Sequence, residues 1–219
     1  NNNNVSSVDL SVGARELMMH GFRHLVSDPG YKAGIFIPLK YQTMIDISAY
    51  SGFDLAIGVC HIFGFGNFIK DAEKGYNIIT KYYENNENDS LSQNILGFLH
   101  CSHYIKIEPL KGFGYKDNNK KAFDYFSKSA EQGDAYGECW LGKCYCYGYG
   151  VKRDEKKGFD LFMKSAKQGS SIGQYYLGHA YSYGYGVAID DKKALEWHKK
   201  SAVQEYAKSI KALAGNYQY

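Results

Sequence analysis

The chain has 219 residues, of which 44% are hydrophobic and 22% charged, with a formal net charge of +3. That leaves ample material for a core, but too weak and mixed a charge to argue for nucleic acid or an anionic membrane surface as partner. No apolar run approaches the roughly 18–20 residues of a membrane-spanning helix, so no membrane span is expected.

Proline is rare, at 3 residues, and glycine frequent, at 24. Many helices punctuated by glycine follow from that balance. In chain order, residues 1–13 form an Asn-rich N-terminal segment expected to be flexible. Residues 14–52 read as a degenerate helical pair, Ala14 to Val26 and Leu39 to Ser48. Residues 53–89 hold a first repeat, opened by Ile57-Gly58. Residues 90–133 hold a second, opened by Leu96-Gly97 and ending in KKAFDYFSKSAEQG, with about nine extra residues, roughly Ile105 to Tyr115, in its turn. Residues 134–169 and 170–205 hold the third and fourth. Residues 206–219 close the array with a helix over Ala207 to Ala214 and a tail.

The repeat is clearest at the end. LGKCYCYGYGVKRDEKKGFDLFMKSAKQG begins at Leu141 and LGHAYSYGYGVAIDDKKALEWHKKSAVQE at Leu177, an offset of 36. Of the 36 positions from Leu141, 15 are identical to those one offset later. Tandem similarity at this period marks a helical repeat array. Ala135 to Tyr147 has apolar residues at three-to-four spacing and reads as a helix, A. Gly148-Tyr149-Gly150 breaks it, because glycine takes the positive φ of a helix end. Asp154 and Asp190 stand where a carboxylate caps the next helix, B. Phe159, Phe162, Met163 and Ala166 share one face of B, and Gln168-Gly169 ends it. Gly142 and Gly178 lie inside helix A, where glycine costs about 1 kcal/mol against alanine. Their recurrence predicts a close helix–helix approach that a side chain would block.

These residues resemble the Sel1-like repeat family, relatives of the tetratricopeptide repeats. The third copy supplies Leu141, Gly142, Tyr145, Gly148, Gly150, Val151, Asp154, Lys157 and Ala166. The fourth supplies Leu177, Gly178, Tyr181, Gly184, Gly186, Val187, Asp190, Lys193, Ala194, Trp197 and Ala202. The resemblance covers 118–206 well and 53–117 loosely. It implies an all-α fold, a right-handed α/α superhelix (solenoid) of about four to five helix-turn-helix repeats. It also implies an adaptor or scaffold that binds proteins. Every motif residue is structural in that reading, and none is a site residue by inheritance.

In such arrays helix A lines the concave wall. The positions free of the motif then form a stripe: Tyr136, Trp140, Lys143 and Tyr147, followed one repeat later by Ile172, Tyr176, His179 and Tyr183. Upstream it continues through Leu91, Ile95, Phe98 and Ser102, then Ala56, Val59 and Phe63. Its aromatic members suit a protein interface. The expected partner-binding residues are therefore Phe63, Phe98, Tyr136, Trp140, Lys143, Tyr147, Tyr176, His179 and Tyr183. The competing reading is plain packing between helices. A groove requires most of the stripe to be more than about a quarter exposed. The extra loop, carrying Pro109, Phe113 and Tyr115, is a second candidate.

Chemistry is set aside residue by residue. His20 and His24 stand four apart but lack the glutamate of a zinc-protease helix. His100, Cys101 and His103, with Cys60 and His61 one repeat earlier, are better read as buried thiols and capping histidines than as zinc ligands. The Gly-x-Gly triplets at 64–66, 112–114, 148–150 and 184–186 lack the third glycine of a nucleotide loop and read as repeat turns. Lys156, Lys157, Lys192, Lys193, Lys199 and Lys200 sit beside acids and read as the solvated face of helix B. The expectation is a non-enzyme with no cofactor, no metal and no small-molecule substrate, whose partner is a protein or peptide. The narrower variant is an immunity protein or inhibitor that neutralises a toxin or enzyme. The alternative of another class, a metal-dependent enzyme, is weaker. The odd number of cysteines without a repeating spacing favours reduced thiols and a cytoplasmic setting. An exported mature form lacking its leader is the alternative, because the chain opens at Asn1 without Met.

Overall fold

A computed structural model of the chain describes residues 13–19, 21–22, 39–101 and 118–216. The described residues are helical between short turns and contain no strand. They fall into two compact units, one ending at Glu87 and one beginning at Asn88.

In the first unit, residues 13–19 and 21–22 are helical, within the stretch expected from Ala14 to Val26, whose last residues lie outside those described. Helix α1 spans Leu39–Tyr50, two residues longer than expected. Helix α2, Asp54–Phe63, packs on α1 and on α3, Ala72–Asn85. Gly58 explains the closeness of α2 and α3. A Cβ there would lie 2.5 Å from Ile79 Cγ1 and 2.9 Å from the Gly75 carbonyl.

The second unit is more regular. Its A helices are α4 (Ser90–His100), α6 (Ala135–Tyr147) and α8 (Ser171–Tyr183). Its B helices are α5 (Asn118–Glu131), α7 (Glu155–Lys167) and α9 (Asp191–Val203). Helix α10, Ala207–Asn216, follows in the position of another A helix. Each helix packs on the next in sequence. The A helices also pack on each other, α4 on α6 and α6 on α8, while among the described residues no two B helices pack comparably.

The same devices recur every 36 residues. The carboxylates of Asp154 and Asp190 accept from the Lys157 and Lys193 amides at 3.0 Å, capping α7 and α9 as expected. Their own amides donate to Tyr145 and Tyr181 carbonyls left over at the ends of α6 and α8. Gly148 and Gly184, with φ of 74° and 76°, end those A helices in the left-handed conformation. Ser165 and Ser201 on the B helices donate to the Ala135 and Ser171 carbonyls at 2.5 and 2.7 Å. Gln132, Gln168 and Gln204 reach Gln93, Glu138 and Gln174 at 2.7, 2.7 and 2.9 Å. Because these bonds satisfy buried polar groups across each A–B pair, they fix its register rather than merely allowing contact.

Leu96-Gly97 occupies the place of Leu141-Gly142. A Cβ on Gly97 would lie 2.6 Å from the Phe126 ring, and one on Gly142 would lie 2.8 Å from Phe162. The additional residues of this repeat thus follow α4, and the loop 105–115 with Pro109, Phe113 and Tyr115 lies outside the described residues.

These contacts reverse the ordinary propensity rule. Alanine at an exposed mid-helix glycine gains about 1 kcal/mol. Gly97→Ala is expected instead to destabilise by about 1–3 kcal/mol, because its methyl must displace the buried Phe126 ring. Urea unfolding followed by far-ultraviolet circular dichroism measures this; a raised midpoint would refute the close-approach account.

Candidate partner-binding site

The predicted stripe divides in two. Phe98, Tyr136, Trp140, Lys143 and Tyr176 are buried, with 6%, 3%, 1%, 1% and 6% of their surface exposed. Leu91, Ile95 and Ile172 beside them are buried as well, as are Ala56 and Val59 in the first unit. Most of the stripe therefore misses the exposure that a continuous groove requires. In the second unit the physical reason is the packing of one A helix on the next, α4 on α6 and α6 on α8, which takes the stripe into the core.

Trp140 is the centre of that core. Phe126 stacks on it at 5.5 Å, Phe98 meets it edge-on at 5.8 Å, and Tyr136 lies 5.9 Å away. Each such pair contributes about 0.5–1.5 kcal/mol beyond burial. Lys143 enters from α6 with Nζ 3.6 Å from the centre of the Trp140 ring and 4.7 Å from that of Tyr176. Burial, with Lys208 nearby, pushes its ammonium well below the usual lysine range. The two ring faces offset part of that desolvation.

The rest of the stripe reaches the surface. Tyr183 is 56% exposed, and Tyr147 and His179 are half-buried. Phe63, in the first unit, is half-buried and stacks on Phe65 at 5.3 Å. In the second unit the partly open residues are joined by two that the helix-based counting missed, Tyr149 and Tyr185 of the Gly-Tyr-Gly turns. Tyr147 lies 5.6 Å from Tyr149 and 5.9 Å from Tyr185. His179 stacks on Tyr185 at 5.6 Å and lies 4.4 Å from Tyr183. The tyrosine that recurs in each of these turns, one step beyond the helix end where the stripe stops, carries that signal.

The residues considered for chemistry are occupied structurally. His20, His24 and His103 lie outside the described residues. His100 is buried and stacked on Tyr125 at 5.7 Å. His61 Nδ1–H donates to the Ile69 carbonyl at 2.9 Å, and Cys60 donates to Asp46 at 3.7 Å. All five cysteines are buried free thiols. Burial pushes Cys60 and Cys146 up to about 12 and raises Cys139 and Cys144 as well. Among the described residues no three His, Cys, Asp or Glu side chains gather in a metal-binding group. Lys156 pairs with Asp160 at 3.1 Å and Lys193 with Asp190 at 3.0 Å on exposed B-helix surface. Among the described residues no helix is long and apolar enough to cross a membrane.

Three largely enclosed histidines make stability depend on acid. Burial holds His100, His179 and His198 down at about 4, against about 6.5 when unfolded. Between those values the unfolded chain binds the extra protons, so stability is full above about pH 6.5 and falls as pH drops toward 4. Each histidine contributes a slope of up to about 1.4 kcal/mol per pH unit. Urea midpoints across this range should fall with acid, and His198→Gln should flatten the fall. An unchanged slope would contradict the burial of His198.

Residues 108–134, 135–170 and 171–204 each match the Sel1 repeat. The first match begins inside the 105–115 segment, whereas the helix that pairs with α5 is Ser90–His100. The Sel1 repeat protein from Oxalobacter formigenes superposes with a TM-score of 0.63 at 22% identity, over 98% of this chain and 80% of that one. The protective antigen c5321 of uropathogenic Escherichia coli, which displays an SLR fold, gives 0.58 at 25% identity, over 92% of this chain. This chain spans 40% of the antigen's length. No curated protein sequence matches it.

Proposed function

We propose that this chain, which carries three consecutive Sel1 repeats over 108–204, is a non-enzymatic adaptor or scaffold that binds a protein or peptide through the A-helix side of its second unit. The observation that carries this reading is the run of partly open aromatic rings at the ends of α6 and α8: Tyr147, Tyr149, His179, Tyr183 and Tyr185. These rings exceed what the core needs, because Trp140, Phe126 and Phe162 already fill it. Tyrosines held by stacking lose little entropy on binding and make good anchors. The buried, protonated thiols support a binding role over nucleophilic chemistry, which needs an accessible thiolate.

The proposal moves the site relative to the sequence expectation. Phe98, Tyr136, Trp140, Lys143 and Tyr176 become the support, and Tyr147, His179 and Tyr183 remain as contacts with the two turn tyrosines. The full chain, immobilised and incubated with lysate of its native cell, should retain a protein partner. Tyr183→Ala with Tyr185→Ala should weaken that partner's binding at least about tenfold with circular dichroism unchanged. Lys200→Ala, on the B-helix surface, should leave it intact. Equal retention by the double alanine variant would refute the site.

A further inference from the structure

Tyr175 on α8 is the meeting point of two histidines and the closing helix. His198 of α9 lies 5.5 Å from its ring, and His179, one turn further along α8, lies 5.9 Å away. Tyr206, the residue before α10, lies 5.3 Å from the same ring. His198 and Tyr206 are 2% and 1% exposed, and His179 is half-buried. The ring that seats the start of α10 therefore shares a wall with both imidazoles. Helix α10 is also lightly held. It packs on α9 and, among the described residues, comparably on no other helix, whereas α8 packs on α6, α7 and α9.

The charges nearest the two imidazoles are basic. Lys143 of α6 has Nζ 4.7 Å from the Tyr176 ring centre, and Lys208 of α10 has Nζ 5.6 Å from that of Tyr175. Burial, with His198, Lys208 and Lys143 nearby, holds His179 down at about 4, and burial does the same to His198. Tyr176, Tyr183 and Tyr185 complete the rings against His179. Helix α8 carries no acid. On the elements around it, Glu138 is engaged by Lys164 and Gln168, Glu155 by Arg153, Asp160 by Lys156 and Asp190 by Lys193. Asp191, Glu196 and Glu205 are exposed, and so are the other lysines of α7, α9 and α10. None of these acids offsets the burial of either imidazole.

We propose that His179 and His198 form an acid-sensitive latch on α10: as they take up protons, the closing helix leaves Tyr175 and α9 while the rest of the second unit stays folded. Once α10 leaves, water reaches both imidazoles, and they bind protons near the ordinary value of about 6.5. The released state thus holds more protons than the docked one between about pH 6.5 and 4. Docking is complete above that window and weakens as pH falls through it, by up to about tenfold per pH unit for each histidine. His100 is enclosed as well, but against Tyr125 of α5, so its proton acts on a different helix pair. The latch stands whether or not the open rings bind a partner.

The test is amide hydrogen exchange of the full chain, read by mass spectrometry and expressed as protection relative to an unstructured chain at the same pH. From pH 7 to pH 4.5, protection over Ala207–Asn216 should fall at least about tenfold, and that over Ala135–Tyr147 no more than about threefold. His179→Gln with His198→Gln should hold the loss over α10 to under about threefold, with protection at pH 7 unchanged. His179→Gln alone, at the half-buried position, should give a loss between that and the wild-type value. His100→Gln should leave the release of α10 as it is. Unchanged protection of α10 at pH 4.5 overturns the latch. So does an equal loss over α6, which would mean that the unit opens as a whole. A loss in the His179→Gln chain as large as in the wild type overturns it too, and that single variant decides the matter if the double variant fails to fold at pH 7.

Discussion

The fold depends on one steric constraint: a glycine of helix A must face a bulky side chain of helix B with nothing between them. Gly58 meets Ile79, Gly97 meets Phe126, Gly142 meets Phe162, and Gly178 meets His198. A methyl at Gly58, Gly97 or Gly142 would stand 2.5–2.8 Å from its neighbour, closer than side-chain carbons are found, and one at Gly178 would stand 3.1 Å from His198, close enough that the ring must give way. The helix gives up about 1 kcal/mol of propensity at each glycine. The gain is a dry, close contact repeated from pair to pair, and stability in such an array is a sum of such local terms.

The location of the proposed binding surface follows from that contact. In the second unit, once A and B lie close, the remaining apolar sides of α4, α6 and α8 turn to one another, and Trp140 with its ring partners fills the space. A buried Trp, Phe and Tyr cluster of this size is core, and its exposure is too low for a partner to reach. Only the C-terminal ends of the A helices and the turns after them lie beyond the overlap. There Gly148 and Gly184 stop the helices, and Tyr149 and Tyr185 extend the aromatic surface past the last turn. Along the stripe the aromatic residues thus divide by height on helix A: Trp140 and Tyr176 are buried lower down, and Tyr147 and Tyr183 are partly open at the top.

Much of the fold was legible because its signals are local. The 36-residue offset, the Gly-Tyr-Gly breaks, and Asp154 and Asp190 as caps each depend on a few neighbouring residues. The site was less legible for the opposite reason. Whether Trp140 or Tyr183 is exposed depends on contacts with helices about 36 residues away, and the spacing of the stripe is the same for both. Lys143 shows the limit most clearly: a lysine on a free stripe position reads as surface, yet two aromatic rings from successive A helices enclose it. The Sel1 match likewise begins at 108 because the extra residues separate Leu96-Gly97 from the Gly-x-Gly at 112–114, breaking the usual spacing.

The central claim is that the A helices bury one set of aromatic residues and present another. Hydroxyl-radical footprinting of the folded chain, read tyrosine by tyrosine by mass spectrometry, tests it most directly. Tyr183 should oxidise fastest, with Tyr147, Tyr149 and Tyr185 intermediate, while Tyr136, Tyr176 and Tyr206 stay protected until the chain unfolds. Oxidation of Tyr136 and Tyr176 at the rate of Tyr183 would contradict the account, because it would place the whole stripe in solvent.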